Sequence, residues 1–230
     1  MKKHIVVLTG AGVSQESGIK TFRDSDGLWE GHDVQEVATP QGFAKNPELV
    51  QEFYNQRRAQ LKEVKPNDAH FALVSLEEKY NVSIITQNVD NLHERAGSKE
   101  VIHLHGQLNK VRSTQYEDLV YDWNKDLKMG DICAKGYQLR PHIVWFGEAV
   151  PMLDTAVDII TQADIVIIIG TSMQVYPAAS LVGFAPAGNP IYYVDPNPTL
   201  NHELKIASNV NVIKEKAGKG VADLVNKLLA

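Results

Sequence analysis

The chain has 230 residues, 43% of them hydrophobic and 22% charged, which is an ordinary globular composition with enough length for one large core. Its formal net charge of −5 gives no basic surplus of the kind that nucleic-acid-binding proteins carry, and its single cysteine, Cys133, excludes a disulfide within the chain. We therefore expect no nucleic-acid partner.

Six apolar runs along the chain are typical of strands. They are continuous or nearly so, which suits strands that are covered on both faces in a parallel sheet. The longest run is far shorter than the ~20 apolar residues of a membrane helix. The first run ends too soon in glycine for a signal peptide, so we expect a cytoplasmic protein with no membrane association. The runs lie at 4–9, 82–86, 100–104, 142–146, 164–170 and 190–194.

Helix signals fall between these runs. A capping asparagine, a proline at the first helical position and an early acid open a helix at residues 46–48, which runs to about Val64. Further helices are predicted from Asn67 to near Tyr80, from near Val89 to Gly97, and over GKGVADLVNKLL at the carboxyl end. The alternation of strand and helix predicts a doubly wound, Rossmann-like parallel α/β sheet.

Two segments interrupt this alternation. Residues 25–65 and 107–141 are polar or helical excursions, and we expect them to form a small subdomain. The remaining segments, 1–24, 66–106 and 142–230, are then predicted to form a nucleotide-binding domain.

The glycine-rich stretch LTGAGVSQESGIKTFR, residues 8–23, follows the first predicted strand. Gly10, Ala11 and Gly12 permit a tight turn and a close approach of backbone to phosphate, and we expect the next helix to direct its N–H groups at the anion. Gln15 stands where a dinucleotide fingerprint has its third glycine, which argues against a plain dehydrogenase. From this stretch alone, a ligand-free turn is an open alternative. Polar donors for a phosphate are Ser14, Ser17 and Arg23.

Four further motifs follow the glycine-rich stretch in a fixed order. They are TQNVDNLHERAG (86–97), HLHG (103–106), VWFGE (144–148) and GTSMQVYPAA (170–179). Together the five motifs resemble the sirtuins, the NAD-consuming protein lysine deacylases, over nearly the whole chain. The resemblance implies that NAD is a co-substrate that is cleaved, with no hydride transfer.

The resemblance assigns the nicotinamide end of the site to the QN-x-D motif. Gln87, Asn88 and Asp90 follow a predicted strand, and amide and carboxylate groups suit the carboxamide of nicotinamide. The alternative is that Asn88 and Asp90 cap the next helix. His105 is the implied catalytic base, with Asn88 and Asp90 beside it. His103 could form a metal pair with His105, but with no evident third ligand we expect a structural role for it.

The remaining NAD contacts are also implied by the resemblance. Gly170, Thr171 and Ser172 match a second phosphate and ribose contact, although Ser172 could instead cap a helix. Asp195 would accept ribose hydroxyls and repel a 2′-phosphate, which favours NAD over NADP. The family usually has asparagine at that position. The other implied contacts are Phe22, Trp29, Asn197 and Ala217.

The acyl group is predicted from the helix that begins at Pro47. Tyr54 and Arg57 are three residues apart and share one face of it. A Tyr and an Arg at this spacing resemble the class III sirtuins, which remove succinyl, malonyl and glutaryl groups, whereas Y-x-x-R on its own is usually a surface pair. We expect the same substrates here, with acetyl also accepted. The resemblance assigns Val34 to the acyl pocket, and Val144, Phe146 and Gly147 to a substrate peptide held as a strand.

The resemblance fails at the two C-x-x-C pairs that hold zinc in most sirtuins. The first pair's position reads RSTQY (112–116) and the second reads CAKG (133–136). One thiol cannot supply the four ligands of a structural zinc site, so we expect no zinc. We expect aromatic side chains to pack in its stead: Tyr116, Tyr121, Trp123 and Tyr137.

The sequence therefore predicts an NAD-dependent deacylase that acts on acylated lysines of proteins and is a monomer. Two other functions stay open at this point. One is mono-ADP-ribosyl transfer, and the other is a non-catalytic sensor of NAD or ADP-ribose.

Overall fold

The computed structural model describes residues 2–20, 28–29 and 31–230, with only the backbone described for Leu28. None of the helices in these ranges is both long enough and apolar enough to span a membrane.

The elements alternate along the chain much as the sequence predicts. The strands of the described residues are β1 (His4–Thr9), β2 (Leu28–Trp29), β3 (His32–Asp33), β4 (Asn81–Thr86), β5 (Val101–His103), β6 (Gly106–Ser113), β7 (Val120–Asp122), β8 (Leu139–Ile143), β9 (Ile165–Ile169), β10 (Ile191–Val194) and β11 (Val210–Ile213). The α-helices are α1 (Val34–Val37), α2 (Pro40–Lys45), α3 (Pro47–Glu63), α4 (Asp68–Leu76), α5 (Leu92–Ala96), α6 (Leu153–Ile160), α7 (His202–Ile206) and α8 (Ala217–Leu229).

Six of the strands form one parallel sheet in the order β11-β10-β9-β1-β4-β5. The chain builds outward from β1 through β4 to β5, then returns to the other side of β1 and builds outward again from β9. The direction of winding therefore reverses between β1 and β9. In open α/β sheets this reversal opens a crevice at the carboxyl ends of the strands, where ligands bind. The predicted doubly wound α/β fold is confirmed.

Helices cover both faces of this sheet. On one face α4 and α8 pack against side chains such as Ile5 and Ile84. On the other, α6 and the 3-10 helix Ala178–Phe184 pack against Val6 and Ile85. Because successive strand residues point to opposite faces, a strand that is buried on both faces is apolar throughout. This explains the continuous apolar runs in the sequence.

The apolar run at 142–146 is not a strand of the parallel sheet, which corrects the prediction. β8 ends at Ile143 and pairs antiparallel with β6, where Ile143 lies opposite Gly106. An apolar run indicates burial, but it does not reveal the direction of the neighbouring strand.

The helix predicted after the glycine-rich turn is also wrong. Two short 3-10 helices, Ala11–Val13 and Gln15–Ser17, follow β1 instead. Gly18 ends the second with a left-handed φ of 99°, a conformation that does not continue a helix.

Two smaller differences concern the ends of helices, and a third is a strand that the sequence argument did not predict. α4 ends at Leu76, because the bonds from Glu77 and Lys79 to carbonyls three residues earlier tighten the chain into a turn. α5 begins at Leu92, since Val89 instead accepts a backbone bond from Leu108. The strand β11 has no counterpart in the prediction.

The small antiparallel sheet, β7-β6-β8, has its own apolar cluster. Tyr121 and Trp123, two of the aromatic residues that the sequence argument expects to pack here, lie against this cluster. Tyr116 and Tyr137 pack edge to face against each other, with ring centroids 5.4 Å apart. Among the described residues, no three His, Cys, Asp or Glu side chains are grouped to hold a metal ion. The buried members of the cluster are Val111, Leu127, Cys133 and Leu139.

We expect the purified chain to contain no stoichiometric zinc and its thermal midpoint to be unchanged by EDTA. Leu127→Ala should lower the free energy of unfolding by about 2–5 kcal/mol, because apolar packing holds this module together. Met129→Ala, at a residue 45% exposed on the same module, is the control and should change it by less than about 0.5 kcal/mol. Metal analysis without chelator and urea denaturation measure both quantities; one zinc per chain would contradict the prediction.

Candidate active site

The site begins where two glycine-bearing turns meet at the carboxyl ends of β1 and β9. The N–H of Gly10 donates to the carbonyl of Ile169 at 3.0 Å, and the N–H of Gly12 donates to the carbonyl of Gly170 at 2.8 Å. A Cβ on Gly12 would lie 2.6 Å from the Cα of Gly170. Only glycine permits this backbone contact.

A cavity of about 680 Å³ extends from these turns to α3. Its volume is that of a ligand site for a small molecule. It brings together residues that are far apart in sequence but were predicted to share one site. The predicted residues that line it are Gly10, Ala11, Gly12, Trp29, Tyr54, Arg57, Gln87, Asn88, Asp90, His105, Val144, Phe146, Gly170, Thr171, Ser172, Asp195, Asn197 and Ala217.

Four predicted site residues do not line this cavity. Ser14 is fully buried behind the glycine turn, and Ser17 accepts a hydrogen bond from Asn67 Nδ2 at 2.9 Å. Gly147 and Val34 are also absent from its walls, and Val34 packs instead against the apolar cluster around α3. Phe22 and Arg23 lie outside the described residues.

The QN-x-D residues are tied to the glycine turn by buried hydrogen bonds. Ser14 Oγ donates to Asp90 Oδ2 at 3.0 Å. Asn88 Nδ2 donates to the carbonyl of Gly10 at 3.2 Å. Asp90 Oδ1 also accepts the N–H of Leu92, so this carboxyl both caps α5 and lines the cavity. Burial raises the pKa of Asp90.

His105 is oriented by the backbone of the neighbouring strand end. Its Nδ1 lies 3.0 Å from the carbonyl of Gln87. Because a carbonyl only accepts, Nδ1 carries the proton, and the lone pair of Nε2 is available as a base. Burial lowers the pKa of His105 below its ordinary 6.5, so the ring is neutral at pH 7.

His103 has a supporting position. Its Nδ1 lies 2.9 Å from the carbonyl of Asn88, and its Nε2 lies 2.7 Å from Glu94 Oε1. Both ring nitrogens face protein oxygens, which is consistent with the predicted structural role and leaves no nitrogen for a metal.

The far end of the cavity is formed by α3 and the segment after β8. Tyr54 is fully buried, and Trp145 Nε1 donates to its hydroxyl at 3.0 Å. Arg57 lies one turn further along α3, with its guanidinium carbon 4.5 Å from the centroid of the Phe53 ring. Ala38 lines the wall here, whereas Val34, which the resemblance assigned to the acyl pocket, does not.

Sequence reasoning missed several of the lining residues, among them Ala38, Trp145 and Glu148. Trp145 and Glu148 belong to the VWFGE motif, so the motif itself was the available signal. Ala38 follows the short helix α1, and only the fold brings its position to the cavity.

Comparison with known proteins agrees with this geometry. The sequence profile of the Sir2 family matches residues 10–177. An NAD-dependent protein deacylase of Helicobacter pylori (strain ATCC 700392 / 26695) is 58% identical over 227 residues, covering 99% of this chain and 98% of the relative. One from Bacteroides thetaiotaomicron is 51% identical over 233 residues, with coverages of 99% and 98%.

Solved structures are similar as well. A mutant Sir2 homologue in complex with ADP-ribose has a TM-score of 0.88 and is 43% identical, covering 99% of this chain and 94% of that one. A Sir2 homologue in complex with NAD has a TM-score of 0.87 at 43% identity, with coverages of 99% and 90%.

Gly12→Ala should destabilise the chain by about 1–3 kcal/mol, because the added Cβ meets the backbone of Gly170, which has no side chain to move aside. Gly183→Ala is the matched control, since the nearest atom is the flexible Cγ of Glu203 at 3.1 Å. It should change stability by less than about 0.5 kcal/mol. Urea denaturation measures both. Equal effects of the two substitutions would mean that the turn does not depend on backbone contact.

Proposed function

The chain belongs to the Sir2 family and is an NAD-dependent protein deacylase, and we propose that it removes succinyl and malonyl groups, as well as acetyl groups, from lysine side chains. The products would be the free lysine, nicotinamide and O-acyl-ADP-ribose. The observation that carries the proposal is one continuous cavity, which joins the turns at the sheet's switch point to Tyr54 and Arg57.

We assign NAD to the half of the cavity formed by the sheet. The N–H groups of Gly10, Gly12 and Gly170 are bonded to backbone carbonyls. The phosphate and ribose oxygens would therefore be met by the other N–H groups of the turns at residues 10–12 and 170–172 and by the hydroxyls of the second turn. Asp195 is buried, and its Oδ1 accepts the N–H of Asn197 at 2.7 Å. A buried carboxylate at this end would accept ribose hydroxyls and disfavour a 2′-phosphate. Ala217, at the start of α8, would contact the adenine.

The nicotinamide end of NAD would lie against Gln87, Asn88 and Asp90. Asn88 and Asp90 are both more than nine-tenths buried, and both are already held by the glycine turn or by Ser14. A carboxamide both donates and accepts, so it complements an amide and a carboxyl group. Fixed partners of this kind would hold nicotinamide in one orientation as it leaves.

An acyl-lysine amide is a poor electrophile, so we propose that its oxygen acts as the nucleophile. The oxygen would attack the ribose carbon that carries nicotinamide, and the bond from that carbon to the nicotinamide nitrogen would break. His105 Nε2 would then take a proton from a neighbouring ribose hydroxyl, whose oxygen would attack the acyl carbon. The bond from that carbon to the lysine nitrogen would break, and lysine would leave as the free amine after taking up a proton. Water would then add to the acyl carbon, which would release one of its two ribose oxygens and stay on the other as an ester. The neutral ring of His105 and its fixed Nδ1–H support its assignment as the base.

The acyl group would enter between α3 and the segment after β8. Tyr54 would donate one hydrogen bond to a terminal carboxylate, and the Arg57 guanidinium would pair with it. Each such charge-assisted bond contributes ~1.5–3 kcal/mol, which corresponds to roughly 10–100-fold in affinity. Ala38 leaves room beside the chain of the acyl group, and the shorter acetyl group would also fit.

We propose that the peptide around the lysine lies as a strand between residues 144–147 and the loop after β9. Phe146 and Tyr176 line the cavity and are 46% and 56% exposed, so they flank its mouth. Pairing through the peptide backbone would give a broad preference for protein sequence.

Tyr54→Phe and Arg57→Met should each lower kcat/KM for a succinyl-lysine peptide about 10–100-fold, because each removes a partner of the carboxylate. Activity on the same peptide with acetyl-lysine should fall less than about threefold, since acetyl has no carboxylate. Lys62→Met, at an exposed cation of the same helix that does not line the cavity, is the control for loss of a positive charge. Equal losses on the two substrates would refute acyl recognition by this pair.

Incubation with NAD and a succinylated peptide should release nicotinamide and succinyl-ADP-ribose in equal amounts. His105→Ala should slow this about 100-fold or more, because it removes the base, whereas the exposed His202→Ala should not. In the wild type, kcat/KM should hold as the pH falls to the ordinary imidazole pKa of 6.5 and decline only in more acid solution, because burial lowers the pKa at which His105 takes up a proton.

Other outcomes identify other functions. Nicotinamide release with ADP-ribose attached to protein would indicate mono-ADP-ribosyl transfer. Binding of NAD with no nicotinamide release would indicate a non-catalytic sensor.

A further inference from the structure

The buried hydroxyl of Tyr54 has a partner that fixes its direction. Trp145 Nε1 lies 3.0 Å from it, and an indole nitrogen can only donate. The Tyr54 oxygen is therefore the acceptor in this bond. Its own hydrogen cannot point at the indole N–H and is left to donate elsewhere. Burial raises the pKa of Tyr54 above its ordinary value, so the phenol keeps that hydrogen.

Trp145 is itself held rigidly. The guanidinium carbon of Arg140 lies 3.3 Å from the centroid of its ring, and the ring of Phe43 packs near it with centroids 5.3 Å apart. The backbone N–H of Trp145 donates to Glu148 Oε2 at 2.8 Å. With only 2% of the residue exposed, the indole has one available orientation. Its N–H points at Tyr54, and these contacts hold it there.

We propose that Trp145 is a positioning residue for acyl specificity, whose indole N–H occupies the Tyr54 oxygen so that the phenol presents its hydrogen to the carboxylate of a dicarboxylic acyl group. The inference rests on the proposed function, since it concerns the same acyl end of the cavity. It assigns to Trp145 a role distinct from filling space. An acetyl group has no carboxylate, so its turnover does not depend on how the Tyr54 hydroxyl is directed.

The test is a double-mutant cycle on Tyr54 and Trp145 with one peptide that carries either succinyl-lysine or acetyl-lysine. Trp145→Phe keeps an aromatic ring and removes the N–H. We expect kcat/KM for the succinyl peptide to fall roughly tenfold, mainly through KM, and that for the acetyl peptide to change less than about twofold. Trp123→Phe makes the same chemical change on the small antiparallel sheet and should alter neither.

The double-mutant cycle distinguishes two roles of Trp145: directing the Tyr54 hydroxyl, and only filling space beside it. If Trp145 acts through Tyr54, the double variant should lose no more succinyl activity than Tyr54→Phe alone. Multiplicative losses, or equal losses on both peptides with Trp145→Phe, would overturn the inference while leaving the proposed function intact. A wild-type chain with no succinyl activity, or a Tyr54→Phe variant with unchanged preference, would overturn both.

A second measurement guards against a Trp145→Phe chain that does not fold. Benzothienylalanine placed at position 145 alone keeps the size and shape of the ring, substitutes sulfur for the N–H and leaves Trp29 in the cavity wall unchanged. This chain should show the same selective loss on the succinyl peptide, and adding Tyr54→Phe to it should cause no further loss. An unchanged succinyl preference would contradict the role of the N–H.

Discussion

The site depends on the contact between two backbones at the switch point of the sheet. The turns after β1 and β9 meet so closely that a side chain on Gly12 or Gly170 would overlap the other turn. Gly170 also has a left-handed φ of 58°. This contact closes the floor of the cavity, and it fixes the position of Gly10, whose carbonyl accepts the amide of Asn88. The orientation of the residues that would hold nicotinamide therefore follows from the absence of two side chains.

A network of buried hydrogen bonds supports the carboxyl ends of β1 and β4. Thr9 Oγ1 donates to Thr86 Oγ1 at 2.8 Å and lies 3.1 Å from His93 Nε2, and Thr86 Oγ1 in turn accepts the N–H of Asn88. His70 packs against His93, and burial lowers the pKa of both, to about 4 for His70. Neutral rings are the form that such an interior tolerates. These contacts join β1 to β4 and to α5, and the bond from Asn88 connects them to a residue that lines the cavity.

Much of this arrangement could be predicted because it depends on local patterns. A continuous apolar run followed by glycine or a polar residue predicts a buried strand and a turn at its carboxyl end, and this was sufficient for β1, β4 and β9. What could not be predicted are contacts between distant segments. Trp145 and Tyr54 are 91 residues apart, and no local pattern signals their hydrogen bond. The same limit applies to Ala38, which no local pattern marks and which only the fold brings to the wall of the cavity.

The small antiparallel sheet positions the side chains that hold Trp145 at the acyl end of the cavity. Arg112 on β6 and Arg140 on β8 both pair with Glu148, at 3.2 Å and 2.6 Å, and all three side chains are largely buried. Burying charges costs free energy that their attraction offsets only when the geometry is good, so such a cluster is weak evidence for stability. The cluster instead fixes the orientation of Trp145, because Glu148 accepts the backbone N–H of Trp145 and Arg140 lies over the Trp145 ring. The apolar packing that holds the small sheet together therefore also fixes the direction of the Trp145 N–H. A change that loosened this sheet would also disturb the geometry of the acyl end of the cavity.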